Sequence, residues 1–81
     1  MDIEAITKKI ISAMSTILEI DESEITVDSR FEEDLAADSV NHVDLIREME
    51  DAFEIDIDSE KATELTSVRA LAEYIKQATS P

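Results

Sequence analysis

The feature that most restricts the fold of this chain is its lack of residues that interrupt helices. Glycine is absent from the 81 residues, and the only proline is the last residue, Pro81. Because Gly and Pro mark turns and end helices, a chain without them in its interior favours an all-α fold. At this length we expect one domain, residues 1–81, with a thin core and little room for an enclosed active site. These limits favour a binding or carrier module and argue against an enzyme.

Apolar residues recur at helical spacing in three segments of the chain. The first covers residues 3–19, the second covers residues 39–53, and the third is capped by Thr66 or Ser67. The inward-facing residues of the third segment are Val68, Leu71, Tyr74 and Ile75. On a helical wheel, the buried side of the second segment groups Val43, Ile46, Met49, Ala52 and Phe53 with Leu45.

The two connections between these segments differ in length. Residues 21–38 lose the periodicity and predict a long loop, whereas residues 54–66 predict a shorter connection with one helical turn near 59–63. The apolar anchors of the long loop are Ile25, Val27, Phe31 and Leu35. The sequence therefore predicts a small antiparallel bundle of three main helices plus one short helix, with a long first loop.

The charge of the chain excludes several kinds of partner. There are 21 acidic and 7 basic residues, which give a net charge of −14. Nucleic-acid binding requires Lys and Arg to neutralise phosphates, so we expect no nucleic-acid partner and instead partners with basic docking surfaces. Cysteine is absent, which excludes disulfides and a thiol nucleophile. The sequence has no signal peptide or membrane-length apolar run, so we expect a cytoplasmic monomer.

The segment that ends the long loop places a serine at the start of a helix. Asp38 precedes Ser39, and its carboxylate is a suitable N-cap for the second helix. This arrangement exposes the hydroxyl of Ser39 and directs free backbone amides and the positive end of the helix dipole towards it. An anionic group attached to Ser39 would be stabilised there.

The motif D-L-A-A-D-S-V at residues 34–40 resembles the D-L-G-A-D-S-L signature of the acyl carrier protein family. The resemblance implies that Ser39 carries 4′-phosphopantetheine, on whose thiol acyl groups are held as thioesters. It also implies that Asp38 belongs to the signature read by the phosphopantetheinyl transferase, and that acyl-processing enzymes are further partners. The likeness extends over nearly the whole chain, at Phe31, Glu33, Asp34, Leu35, Asp38, Ser39, Val43, Leu45, Glu50, Phe53, Ile57, Ala62 and the helix start Thr66-Ser67-Val68.

Two further sets of residues follow from the helical wheel and this resemblance. The predicted partner-docking face on the second helix comprises Val40, Asp44, Arg47, Glu48, Asp51 and Glu54. The predicted acyl pocket comprises His42, Val43, Ile46, Met49, Ile57, Leu71 and Ile75. We expect His42 at the mouth of this pocket and not in a hydrolase site, because no group is evident that would orient its imidazole.

Several positions depart from the family pattern. Val40, Asn41 and Arg47 differ from the residues common in carriers of fatty acid synthesis, which leaves a specialised lipid or polyketide carrier open. Arg47 is also within i+4 reach of Asp51, where the two could form an ion pair. Ala36 replaces the usual glycine, so this position requires either a negative φ or some strain.

Other functions are consistent with parts of the sequence. One is a carrier of the same build for an aminoacyl or D-alanyl group, and another is an acidic helical adaptor without a prosthetic arm. The acidic stretch from Asp56 to Glu60 resembles the start of an EF-hand loop. However, Lys61 occupies the position of the required glycine and Ser67 that of the final Glu, so we expect no specific metal site.

Overall fold

The computed structural model describes residues 2–79, and it confirms the all-α bundle of three main helices and one short helix. The helices are α1, Ile3–Leu18; α2, Ser39–Phe53; α3, Ser59–Ala62; and α4, Val68–Thr79. Helix α1 ends one residue earlier than the periodicity predicts, since Glu19 adopts the left-handed conformation with φ 56°. Within the described residues no helix is both long enough and apolar enough to cross a membrane.

Helix α1 packs against both α2 and α4. Its spacing of four residues puts three apolar side chains on one face, and all three are fully buried. The core is completed by the inward faces of the other helices and by the connections. Its fully buried members include Ile6, Ile10, Met14, Phe31, Leu45, Met49, Val68, Leu71 and Ile75.

The buried face of α2 is narrower than the helical wheel predicts. Leu45, Ile46 and Met49 are buried, but Val43 is 49% exposed and Ala52 is exposed as well, so their assignment to the buried side was wrong. Val43 and Met49 are six positions apart in the sequence, which places them about 120° apart around the helix. Val43 therefore lies at the edge of the buried stripe, beside the exposed face of α2.

The long first connection is ordered by hydrogen bonds to the start of α4. It contains a single 3₁₀ turn, Glu22–Glu24, where the sequence predicted only loop. The amide of Val68 donates to the carbonyl of Ser29 at 3.1 Å, and the amide of Arg69 donates to the carbonyl of Val27 at 2.9 Å. These bonds satisfy amides that the first turn of a helix otherwise leaves free.

The start of α4 is capped by Ser67, the second of the two predicted residues. The amide of Ala70 donates to the Ser67 hydroxyl at 3.1 Å. The connection and α4 are also joined by an ion pair between Arg69 and Asp28, with Nη2 and Oδ1 2.9 Å apart. Together, these contacts hold the connection that leads to Ser39 against the body of the bundle.

Candidate functional site

Ser39 is the first residue of α2, and the residue before it caps the helix as predicted. The amide of Asn41 donates to Oδ1 of Asp38 at 2.8 Å, and the side-chain oxygen of Asn41 accepts from the amide of Asp38 at 3.2 Å. This reciprocal pair is a capping box, and it fixes the direction in which the helix begins. The side chain of Ser39 is exposed at this fixed point.

The first-turn amides of α2 leave two donors beside the Ser39 hydroxyl. The amide of Asn41 is bonded to Asp38, whereas the amides of Ser39 and Val40 donate to no acceptor within residues 2–79. Free amides at a helix N-terminus favour an anion, so the backbone suits a phosphodiester attached to Ser39. The donor set therefore fits a phosphate-linked prosthetic arm.

The segment before Ser39 is held by backbone hydrogen bonds on both sides of Phe31. The amide of Phe31 donates to the carbonyl of Thr66 at 2.9 Å, and the carbonyl of Phe31 accepts from the amide of Ala37 at 2.9 Å. Phe31 itself is 1% exposed and anchors the segment in the core. The position of Ser39 is therefore set by the core and by the connection before α4.

An exposed ion pair closes the turn in the same segment. The backbone amide of Arg30 donates to Oδ2 of Asp34 at 2.8 Å, and Nε of Arg30 lies 3.3 Å from the same oxygen. The backbone hydrogen bond, followed by the guanidinium hydrogen bond, lowers the pKa of Asp34 from its ordinary value. The hydrogen bond to Asp34 in turn raises the pKa of Arg30, so both groups favour their charged forms.

Ala36 resolves the two alternatives that the sequence left open for this position. Its φ is 56°, in the left-handed region that glycine adopts without strain. A side chain with a Cβ is disfavoured there, so the turn before Ser39 carries local strain.

A surface cleft opens directly beside Ser39. This Ser39 cleft has a volume of about 440 Å³, and its lining combines the start of α2 with residues of both connections. The lining residues are Glu32, Ala37, Asp38, Ser39, His42, Val43, Thr63 and Thr66. None of them is Lys or Arg, so an attached phosphate would depend on the helix amides and not on a cationic side chain.

A second depression continues from this cleft between α2 and α3. This α2–α3 groove has a volume of about 280 Å³ and shares His42, Val43 and Thr63 with the Ser39 cleft. Its full lining is His42, Val43, Ile46, Arg47, Glu50, Ile57, Ser59, Ala62 and Thr63. The two depressions therefore form one path that starts at the Ser39 hydroxyl and runs along α2.

The structure separates the predicted acyl-pocket residues into two groups. His42, Val43, Ile46 and Ile57 line the α2–α3 groove. The other three lie deeper in the core and are completely buried: Met49, Leu71 and Ile75. The groove is therefore a surface depression above a closed core.

His42 lies where the cleft and the groove meet. Its Nε2 is 2.9 Å from the carbonyl oxygen of Ala62, at the end of α3. Its ring meets the ring of Phe31 edge to face, with centroids 5.6 Å apart. Two neighbours from distant parts of the chain thus hold the imidazole in place.

Five of the predicted docking residues lie on the exposed part of α2, and Glu54 is the left-handed residue that ends the helix. At 100° per residue the five fall within about a third of the circumference of the helix. Val40 is the one apolar member of the set and is 65% exposed. The whole set, Val40, Asp44, Arg47, Glu48, Asp51 and Glu54, is exposed. The suggested ion pair between Arg47 and Asp51 does not form among the described residues, which leaves the only cation of α2 open to a partner.

Sequence reasoning missed several residues of the cleft and groove. Glu50 accepts a hydrogen bond from the amide of Ile57 at 2.8 Å, and so fixes the connection that forms the far side of the groove. The other missed lining residues are Glu32, Ala37, Ser59, Ala62, Thr63 and Thr66. They come from different elements, so no local pattern could group them.

Comparison with known proteins agrees with this geometry. The family described as "Phosphopantetheine attachment site" matches residues 8–75. An acyl carrier protein of Rubrobacter xylanophilus is 43% identical over 75 residues, which cover 93% of each chain. An acyl carrier protein of Treponema denticola is 44% identical over 69 residues, which cover 85% of this chain and 88% of that one. The cofactor of such a domain is covalently attached 4′-phosphopantetheine. The chain therefore belongs to the phosphopantetheine-binding acyl carrier protein family.

Proposed function

We propose that residues 1–81 form one carrier domain that holds acyl groups as thioesters on a 4′-phosphopantetheine arm attached to Ser39. The observation that supports this most strongly is the exposed hydroxyl of Ser39 at the capped start of α2, beside two free amides and an open cleft. The acyl groups belong to fatty acid synthesis or to a specialised lipid or polyketide. Asp38 fixes the helix start that the transferase reads.

The chain supplies a tether and leaves the chemistry to other proteins. A serine hydroxyl is a weak nucleophile unless a base activates it. Ser39 has no hydrogen bond to a base within residues 2–79, and Nε2 of the nearby His42 is bonded to the carbonyl of Ala62. A phosphopantetheinyl transferase must therefore attach the arm, and acyl-processing enzymes must load and use it.

The exposed face of α2 is the proposed docking surface for these enzymes. Asp44, Glu48 and Asp51 form an acidic stripe that begins one turn beyond Ser39, and Glu54 extends it. Such a stripe attracts basic surfaces and orients them over the attachment point. Arg47 interrupts the stripe, so a matching partner would place an acidic or polar group opposite it.

The α2–α3 groove is the proposed shelter for the first part of an acyl chain. Each CH₂ removed from water contributes about 0.8 kcal/mol, which favours placing the chain against apolar groove residues such as Ile46 and Ile57. A longer chain would have to part the helices and reach Met49, Leu71 and Ile75. Met49 suits such repacking because its unbranched side chain adapts its shape.

Loading with defined coenzyme A derivatives tests the carrier function. The purified chain would be incubated with a phosphopantetheinyl transferase and octanoyl-coenzyme A, then measured as intact protein. We expect one octanoyl-phosphopantetheine per chain, from which hydroxylamine removes only the octanoyl group because it cleaves thioesters. The Ser39→Ala variant should gain nothing, whereas the matched control Ser12→Ala, changed at an exposed serine of α1, should load fully.

The same loaded samples test where the acyl chain lies. If the acyl chain enters the groove and the core, the methyl NMR signals of Ile57 and Ile75 should shift relative to those of the protein that carries the unacylated arm. Shifts limited to the surroundings of Ser39 would contradict the shelter. A protein that takes up no arm would favour the acidic adaptor. Loading by an aminoacyl-activating enzyme alone would favour the aminoacyl carrier.

A further inference from the structure

The hydrogen bond between His42 and Ala62 fixes which imidazole nitrogen carries a proton. A carbonyl oxygen only accepts hydrogen bonds, so Nε2, at 2.9 Å from it, must be the donor. In a neutral imidazole the other nitrogen is then an acceptor. The structure therefore makes Nδ1 of His42 a hydrogen-bond acceptor.

This acceptor is open and without a protein partner. Within residues 2–79, Nδ1 of His42 has no hydrogen bond, and no buried side-chain nitrogen or oxygen lacks a partner. It follows that Nδ1 is accessible from solvent. His42 lines both the Ser39 cleft and the α2–α3 groove, one helical turn after Ser39.

The surroundings of His42 make it better suited than its neighbours to bind a polar ligand in this cleft. The Ala62 carbonyl and the Phe31 ring hold the imidazole, so binding would cost little side-chain entropy. Asp38 already caps α2, and Glu32 is an exposed carboxylate that would repel a nearby phosphate.

We propose that Nδ1 of His42 accepts a hydrogen bond from an amide N–H of the pantetheine arm and directs the arm from the cleft into the groove. This inference rests on the proposed attachment at Ser39. A pantetheine arm carries two amide N–H groups that can donate, and His42 lines both the cleft beside Ser39 and the apolar groove. His42 is thus a binding residue for the arm, and the acyl chain follows the direction that it sets.

Nitrogen-15 NMR of the histidine ring tests this directly, because the chain contains only one histidine. Spectra would be recorded at about pH 8, where a histidine side chain is ordinarily neutral, before and after complete loading with phosphopantetheine. We expect the Nδ1 signal to move upfield on loading, as an acceptor nitrogen does when it enters a hydrogen bond. The Nε2 signal is the internal control and should stay in place.

Two variants separate binding from a structural effect. Gln at position 42 keeps an acceptor and a donor, whereas Leu removes both. In the loaded protein, the arm amide should exchange its hydrogen about fivefold more slowly in the native chain and in His42→Gln than in His42→Leu, the effect of a hydrogen bond of typical net strength.

Each outcome of these measurements decides something different. Complete loading with an unmoved Nδ1 signal would overturn the role of His42 alone, and so would equal exchange rates in the native and His42→Leu chains. Failure of Ser39 to accept the arm would overturn the proposed attachment as well, and intact mass distinguishes the two failures.

Discussion

At the scale of single residues, Ala36 adopts a left-handed backbone conformation that glycine adopts more readily. With φ 56° it occupies the left-handed region three residues before Ser39, in a chain that has no glycine. The sequence identified the position as unusual, but the choice between a negative φ and strain depends on how Phe31 and Ala37 close the turn. The strain is therefore a consequence of tertiary contacts and could not be predicted locally.

Replacing Ala36 with Gly should stabilise the protein. Relief of the left-handed conformation contributes about 1–2 kcal/mol, and the greater freedom of glycine in the unfolded chain offsets about 0.4–1 kcal/mol of this. We expect the free energy of unfolding in urea to rise by about 0.5–1 kcal/mol. The control Ala37→Gly should lower it, since Ala37 is buried and has no positive φ. A lower stability of Ala36→Gly would contradict the strained turn.

At the scale of elements, helix α2 combines three roles on three faces. Leu45, Ile46 and Met49 are buried, Val43 borders the groove, and the exposed face presents the acidic stripe. The periodicity predicted the bounds of this helix and its exposed stripe. The helical wheel wrongly assigned Val43 and Ala52 to the buried side, because it contains no information about where the neighbouring helices end.

Reversing one charge of the stripe should weaken docking by the transferase. Asp44→Lys would place a cation close to Ser39, the proposed attachment point, and repel a basic partner surface, so we expect kcat/KM for loading to fall about tenfold at low salt. The loss should shrink as salt is added, because screening reduces interactions between exposed charges.

Glu73→Lys is the matched control for this reversal, since Glu73 is exposed on α4, away from the stripe. It changes the net charge of the chain by the same amount and should leave kcat/KM nearly unchanged. Equal losses in both variants would mean that total charge governs docking and that the stripe has no special role.

At the scale of the whole molecule, the site is assembled from parts that are far apart in the sequence. The motif around Ser39 and the order of the helices were predictable, because each depends on residues that are contiguous in the sequence. The cleft and groove also need Thr63, Thr66 and the carbonyl of Ala62, which reach the start of α2 only through the folded connections. Hydrogen bonds such as that between Ser29 and Val68 bring these parts together, and no local pattern encodes them.

The attachment of the arm to Ser39 is the central claim, and fragmentation of the loaded intact protein in a mass spectrometer tests it most directly. After incubation with coenzyme A and a transferase, we expect one phosphopantetheine per chain. Every fragment that contains Ser39 should carry the added mass, and fragments that end before residue 39 or begin after it should not. An added mass on fragments that lack Ser39 would contradict attachment at this serine.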